Sequence, residues 1–120
     1  MSNKLAAELV MRLFHARTNS HVQHLATRSY AAHKALNEFY DGVVGLADAF
    51  AEAYQGINGL LTEYPRAFTL ELNSQAMLAE LRKWIVAHRN EVTSERHLQN
   101  IIDEIMALID STVYKLKHLA

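Results

Sequence analysis

Gly56-Ile-Asn-Gly-Leu-Leu-Thr-Glu-Tyr-Pro-Arg-Ala-Phe-Thr-Leu-Glu-Leu72 decides how the rest of the chain is arranged. The stretch holds the only proline and two of the four glycines, and it interrupts helical periodicity on both sides. At 17 residues it is longer than a tight turn between neighbouring helices requires. A connection of that length in a small helical domain usually runs the length of the bundle. Two segments with helical period precede it, two follow it, and no segment shows a convincing strand alternation. The predicted fold is all-α: a four-helix bundle made of two helical hairpins joined by a long crossover, one domain over residues 1–120.

Upstream, the first helix is expected from about Asn3 to Thr27, with Leu5, Leu9, Val10, Leu13, Phe14, His21 and Leu25 on a broad common face. Thr18-Asn19-Ser20 is a place where it could loosen or bend. The second is expected from about Tyr30 to Tyr54, capped by Ser29 and closed by Gly56, with Leu36, Val43, Ala47, Phe50 and Tyr54 at helical spacing. Downstream, Asn73 or Ser74 caps a third helix to about His88, with Leu78, Leu81, Trp84 and Ile85 inward. After a turn at Asn90 to Thr93 the fourth runs from Ser94 to about Leu119, its stripe formed by Leu98, Ile101, Ile102, Ile105, Leu108, Ile109, Val113 and Leu116.

Half of the 120 residues are hydrophobic, enough for a compact core without a disulfide or zinc staple. The absence of cysteine excludes thiolate metal sites and cysteine nucleophiles, and fits a reducing compartment. No secretory leader and no membrane-length apolar run is apparent, so the expectation is a cytoplasmic protein without a membrane partner. With 12 Lys and Arg against 13 Asp and Glu the average field is weak, and DNA binding is disfavoured. The lysines near the C-terminus, Lys115 and Lys117 with His118, suit the dipole of a helix end. No glycine-rich phosphate loop, His-Glu-x-x-His motif or nucleophile elbow is present.

The candidate chemistry lies in His24-Leu-Ala-Thr-Arg-Ser-Tyr-Ala-Ala-His33, followed by Asp48 and Glu52. Imidazoles and carboxylates together suit iron, manganese or zinc. From His33 onward the pattern His-x14-Asp-x3-Glu, with Tyr40 between and Gly56 beyond, resembles the second helix of Dps-type mini-ferritins. The resemblance covers about a third of the chain. It implies a ferritin-like fold, assembly as a homodimer or higher homo-oligomer, and an iron-oxidising site between subunits, made of His24, His33, Asp48 and Glu52. The run His24 to His33 and the ending Ala-Glu-Ala-Tyr-Gln-Gly56 also resemble small bacteriophage proteins with a ferritin-like signature. The sequence departs from the mini-ferritin pattern at three points: Asn37 stands where the family carries a further carboxylate, Leu25 where a tryptophan commonly follows the first histidine, and the link between the histidines is shorter. A site missing one anion binds a divalent ion more weakly, which touches oxidation chemistry first.

Helical geometry divides the four residues. Asp48 lies about 22 Å along the helix from His33 at a rise of 1.5 Å per residue, so the two cannot ligate one ion within a subunit. Asp48 and Glu52 are one turn apart on one face, and His24 and His33 flank the hairpin turn. A two-fold dimer with antiparallel second helices would bring one chain's histidines to the other's carboxylates. Asp48, set among Val44, Ala47 and Ala51, is expected to be buried and to need such a partner. A rival arrangement within one subunit has His88, Glu95 or His97 joining Asp48 and Glu52. Plainer roles are expected elsewhere: surface or interface for His15, His97 and His118, a helix end for His88, and packing for Tyr30, Tyr40 and Tyr54. His21 shares a face with His24, at a spacing that can chelate a metal. The alternative to a metalloprotein is a helical interaction module, such as a phage protein acting on a host protein partner, in which these residues are ordinary polar side chains.

Overall fold

A computed structural model describes residues 3–119 of the chain, leaving Met1, Ser2 and Ala120 outside it. These residues form four helices, α1 (Lys4–Ala26), α2 (Tyr30–Asn58), α3 (Ser74–Val92) and α4 (Arg96–His118), with no strand among them. α1 packs on α2 and α3, and α4 packs on α2 and α3, while the backbones of the two diagonal pairs, α1 with α4 and α2 with α3, do not approach closely. None of these helices is long and apolar enough to cross a membrane.

Both hairpin turns use the same local chemistry. α1 ends at Thr27 and α3 ends at Thr93, each in extended backbone. Each threonine Oγ1 accepts the N–H two residues on, from Ser29 at 3.2 Å and from Glu95 at 3.0 Å. This side chain fixes a three-residue reversal that would otherwise leave an amide without a partner. Ser29 then caps α2 by accepting the Ala32 N–H, and Asn73 caps α3 by accepting that of Ala76.

The crossover is an extended strap laid along α1. Leu60 O accepts from Asn3 Nδ2 at one end of α1. Near the other end Asn19 brackets the strap, its Nδ2 donating to Thr69 O and its Oδ1 accepting from the Glu71 N–H, while Gln23 Nε2 donates to Glu71 O at 2.7 Å. Residues 3 and 23 are about 30 Å apart along a helix, so the strap spans the bundle as its length suggested. α3 therefore starts at the end where α2 starts and runs parallel to it.

One core joins the four helices. Leu36, Phe39, Val43, Ala47 and Phe50 of α2 face Leu9, Val10 and Leu13 of α1, Leu78 and Ile85 of α3, and Leu98, Ile102, Ile105 and Ile109 of α4, all essentially excluded from water. Each such aliphatic or aromatic side chain contributes roughly 1.5–3 kcal/mol on burial. Gly42 allows α2 to approach α4: a Cβ there would sit 3.2 Å from Leu108 Cδ2. Ion pairs Glu38–Lys115, Arg82–Asp110 and Arg89–Asp103 join helices at the surface, where such pairs contribute little.

Several boundaries differ from the sequence reading. α2 continues past Gly56 to Asn58, and its C-cap is Gly59, whose φ of +85° is the conformation that ends the helix. α3 extends four residues beyond His88, to Val92. α1 runs unbroken through Thr18-Asn19-Ser20, because Ser20 Oγ donates to Ala16 O and Asn19 is committed to the strap. Leu25, expected on the inner face, is exposed at the hairpin turn.

Candidate functional site

The short turn at Thr27 to Ser29 sets the last turn of α1 against the first turn of α2, pairing His24 with His33. His24 Nδ1 lies 2.7 Å from the His33 carbonyl and His33 Nδ1 lies 2.8 Å from the His24 carbonyl. A carbonyl can only accept, so both Nδ1 atoms carry the proton. The His24 carbonyl belongs to the last turn of α1 and lacks an intrahelical partner, so His33 also caps that helix. The two rings stack with centroids 3.5 Å apart and planes at 20°. In this tautomer each Nε2 holds a lone pair, and neither makes a hydrogen bond among the described residues. Nδ1–H bonded to a carbonyl and Nε2 open is the arrangement usual for a metal-ligating histidine.

Further rings extend the stack. His21 lies over Tyr40 at 4.3 Å, Tyr40 meets the edge of His24 at 5.3 Å, Tyr30 lies parallel to His33 at 6.2 Å, and the Arg17 guanidinium stands 5.8 Å from the Tyr40 ring. The Tyr40 hydroxyl donates to Asn37 Oδ1, and Asn37 Nδ2 donates to Asp41 Oδ2. Asn37 is thereby engaged at both ends of its amide. The sequence reading gave Tyr40 a packing role and placed His21 on a common face with His24 at a spacing that can chelate a metal, and both side chains sit against the histidine pair. The i, i+3 relation of His21 to His24 on α1, and the antiparallel pairing of α2 that brings Tyr40 alongside, were the signals available.

Asp48 and Glu52 lie one turn apart on the outer face of α2, exposed, with no hydrogen bond or ion pair among the described residues. The expected burial of Asp48 is not found: Ala47 points into the core and the next residue is turned about 100° away from it. The carboxylates are therefore solvated and need no internal partner. Among the described residues no three His, Asp or Glu side chains come close enough to hold an ion.

The single-subunit rival is not formed. α2 and α3 occupy diagonal corners of the bundle, His88 turns back to donate Nδ1–H to the Trp84 carbonyl and stack on its indole, and Glu95 and His97 are exposed. One chain thus carries two separated groups, an oriented histidine pair at the hairpin end of α2 and a carboxylate pair further along the same helix.

Comparison with curated proteins and with solved structures finds no match. A family described as "Family of unknown function (DUF5856)" matches residues 24–116, which is most of the chain, and the protein belongs to that family. The matched region begins at His24 and includes all four candidate ligands.

Proposed function

We propose that this family member is a ferritin-like metal-binding protein that takes up a divalent ion, iron first, between two copies of the chain. The reading rests on the reciprocal Nδ1–H to carbonyl bonds of His24 and His33, which leave both Nε2 lone pairs open and the rings held. The unpaired Asp48 and Glu52 supply the anionic half, and their separation from the histidines requires the second copy. The pairing of α1 with α2 and of α3 with α4, with a strap along the bundle, is the plan of ferritin-like folds and supports the same reading. Asn37 supplies no third carboxylate and is already bonded to Tyr40 and Asp41, so binding is expected to outlast oxidation chemistry.

The test is complementation. Untagged protein is titrated anaerobically with ferrous iron by calorimetry, then exposed to oxygen while ferric absorbance is followed. His33→Ala and Asp48→Ala should each abolish the high-affinity uptake. A mixture of the two variants should recover one site per mixed dimer, since His24 and His33 of one chain then meet the intact carboxylates of the other. Failure of the wild type to bind, or an unmixed variant that binds normally, overturns the proposal.

One observation favours the second reading, an interaction module without metal. Leu60, Tyr64, Phe68, Leu70 and Leu72 form a row of exposed apolar side chains along the strap. Metal-free protein that is monomeric and inert to iron would leave that row as the functional surface.

A further inference from the structure

The strap does not lie flat on the bundle. Its alternate residues Pro65, Ala67, Thr69 and Glu71 line a space between α1 and α3 with a volume of about 370 Å³. Three of those four side chains are short, and so are Ala16 on α1 and Ala76 on α3, which lie across from them. The space remains because nothing from the strap is large enough to fill it. Its volume lies within the range of small-molecule sites, roughly 300–1,000 Å³. It opens on the side of α1 that carries Glu8, Arg12 and His15, away from the face that meets α2.

The lining specifies a chemistry. Met11, Ala16, Met77 and Leu81 give it an apolar and adaptable wall. Arg12 is committed, its Nη2 2.8 Å from Glu8 Oε2 and its guanidinium 4.8 Å from the centre of the Trp84 ring. Glu80 makes no hydrogen bond or ion pair among the described residues, and Glu71 has one oxygen occupied by the Asn73 N–H. His15 meets Phe68 edge-on at 5.0 Å and is held toward its neutral form by burial and by Arg12. With the Glu8–Arg12 pair cancelling, the charge left over is that of two carboxylates.

We propose that the space beneath the strap is a binding site for a small organic cation, an amine with an apolar body, whose ammonium group faces Glu80 and Glu71 while the body lies against Met11, Met77 and Leu81. An anion would be repelled by the two uncompensated carboxylates, and an apolar neutral molecule would gain nothing from them. The site stands apart from the histidine and carboxylate pairs of α2.

The experiment uses three probes that share a body and differ in head charge: 2-phenylethylamine, 3-phenylpropionate and 2-phenylethanol. Binding is followed by calorimetry and by the fluorescence of Trp84, the single tryptophan, which Arg12 links to the cavity wall. Only the amine should saturate. Glu80→Gln, at an exposed position, should weaken it about tenfold. Ala67→Phe, filling the space from the strap, should abolish it, and His33→Ala should leave it unchanged. Equal binding of the acid or the alcohol, amine binding indifferent to Ala67→Phe, or no saturation at millimolar amine overturns the proposal.

Discussion

His33 has one nitrogen engaged and one open: its Nδ1–H closes the last turn of α1, and its Nε2 makes no hydrogen bond among the described residues. His33→Ala should therefore lower stability by about 1–2 kcal/mol in urea unfolding even without metal, as a capping hydrogen bond and a stacked ring are lost. Two glycines at the end of α2, one inside its last turn and one capping it, give a sharper residue-scale contrast. Gly56→Ala should stabilise by roughly 0.5–1 kcal/mol, because the site is helical and open. Gly59→Ala should destabilise by about 1 kcal/mol, because its φ is positive. Urea midpoints of the two variants should move in opposite directions. The sequence showed both glycines but not which one ends the helix; that depends on whether Gln55, Gly56 and Ile57 still find helical partners, which composition does not reveal. His24 and His33 were legible as neighbours because pairing about residues 28 and 29 is enforced by a short turn. Their reciprocal bonding was not, since it depends on ring orientation.

At the scale of elements, the strap is held by side chains, from α1 along most of its length and from Gln55 of α2 at Leu61, rather than by its own backbone pairing. Asn19→Ala should remove the bonds to Thr69 O and the Glu71 N–H together, leaving Gln23 alone on Glu71 O. Limited proteolysis should then cut within residues 62–70 several times faster, while the circular dichroism of the helices stays close to wild type. Asn19 and Ser20 illustrate why part of this was hidden. A polar run inside an apolar helix resembles a break when its partner lies some 50 residues away in sequence. By contrast the stripes of α2 and α4 were legible almost residue by residue, because Leu36, Val43, Ala47 and Phe50, and Leu98, Ile102, Ile105 and Ile109, are buried through simple helical repetition.

At the scale of the whole molecule, acid should weaken the fold through His15. Burial first, and Arg12 second, hold this imidazole below its ordinary value of 6.5. As pH falls past 6.5 the unfolded chain takes up the proton before the folded one, so stability present above that pH declines until the folded-state value is reached. Urea midpoints measured from pH 8 to 5 should show a shallower decline in His15→Gln than in the wild type. The separation of the histidine pair from the carboxylate pair was legible from helical rise alone, whereas Asp48's exposure was not, because flanking alanines do not say which way a helix faces. The strap carries one more consequence. Pro65, Ala67, Thr69 and Glu71 line the space between α1 and α3, whereas Leu60, Tyr64, Leu70 and Leu72 do not line it and stand exposed, so two roles alternate along one segment. A library randomised across residues 60–72 and sorted for folded protein should tolerate change at Leu60, Tyr64, Leu70 and Leu72 more than at Leu61, and Phe68 should be intermediate because it touches His15. In evolutionary terms this segment can exchange what the protein meets without rewriting what it contains.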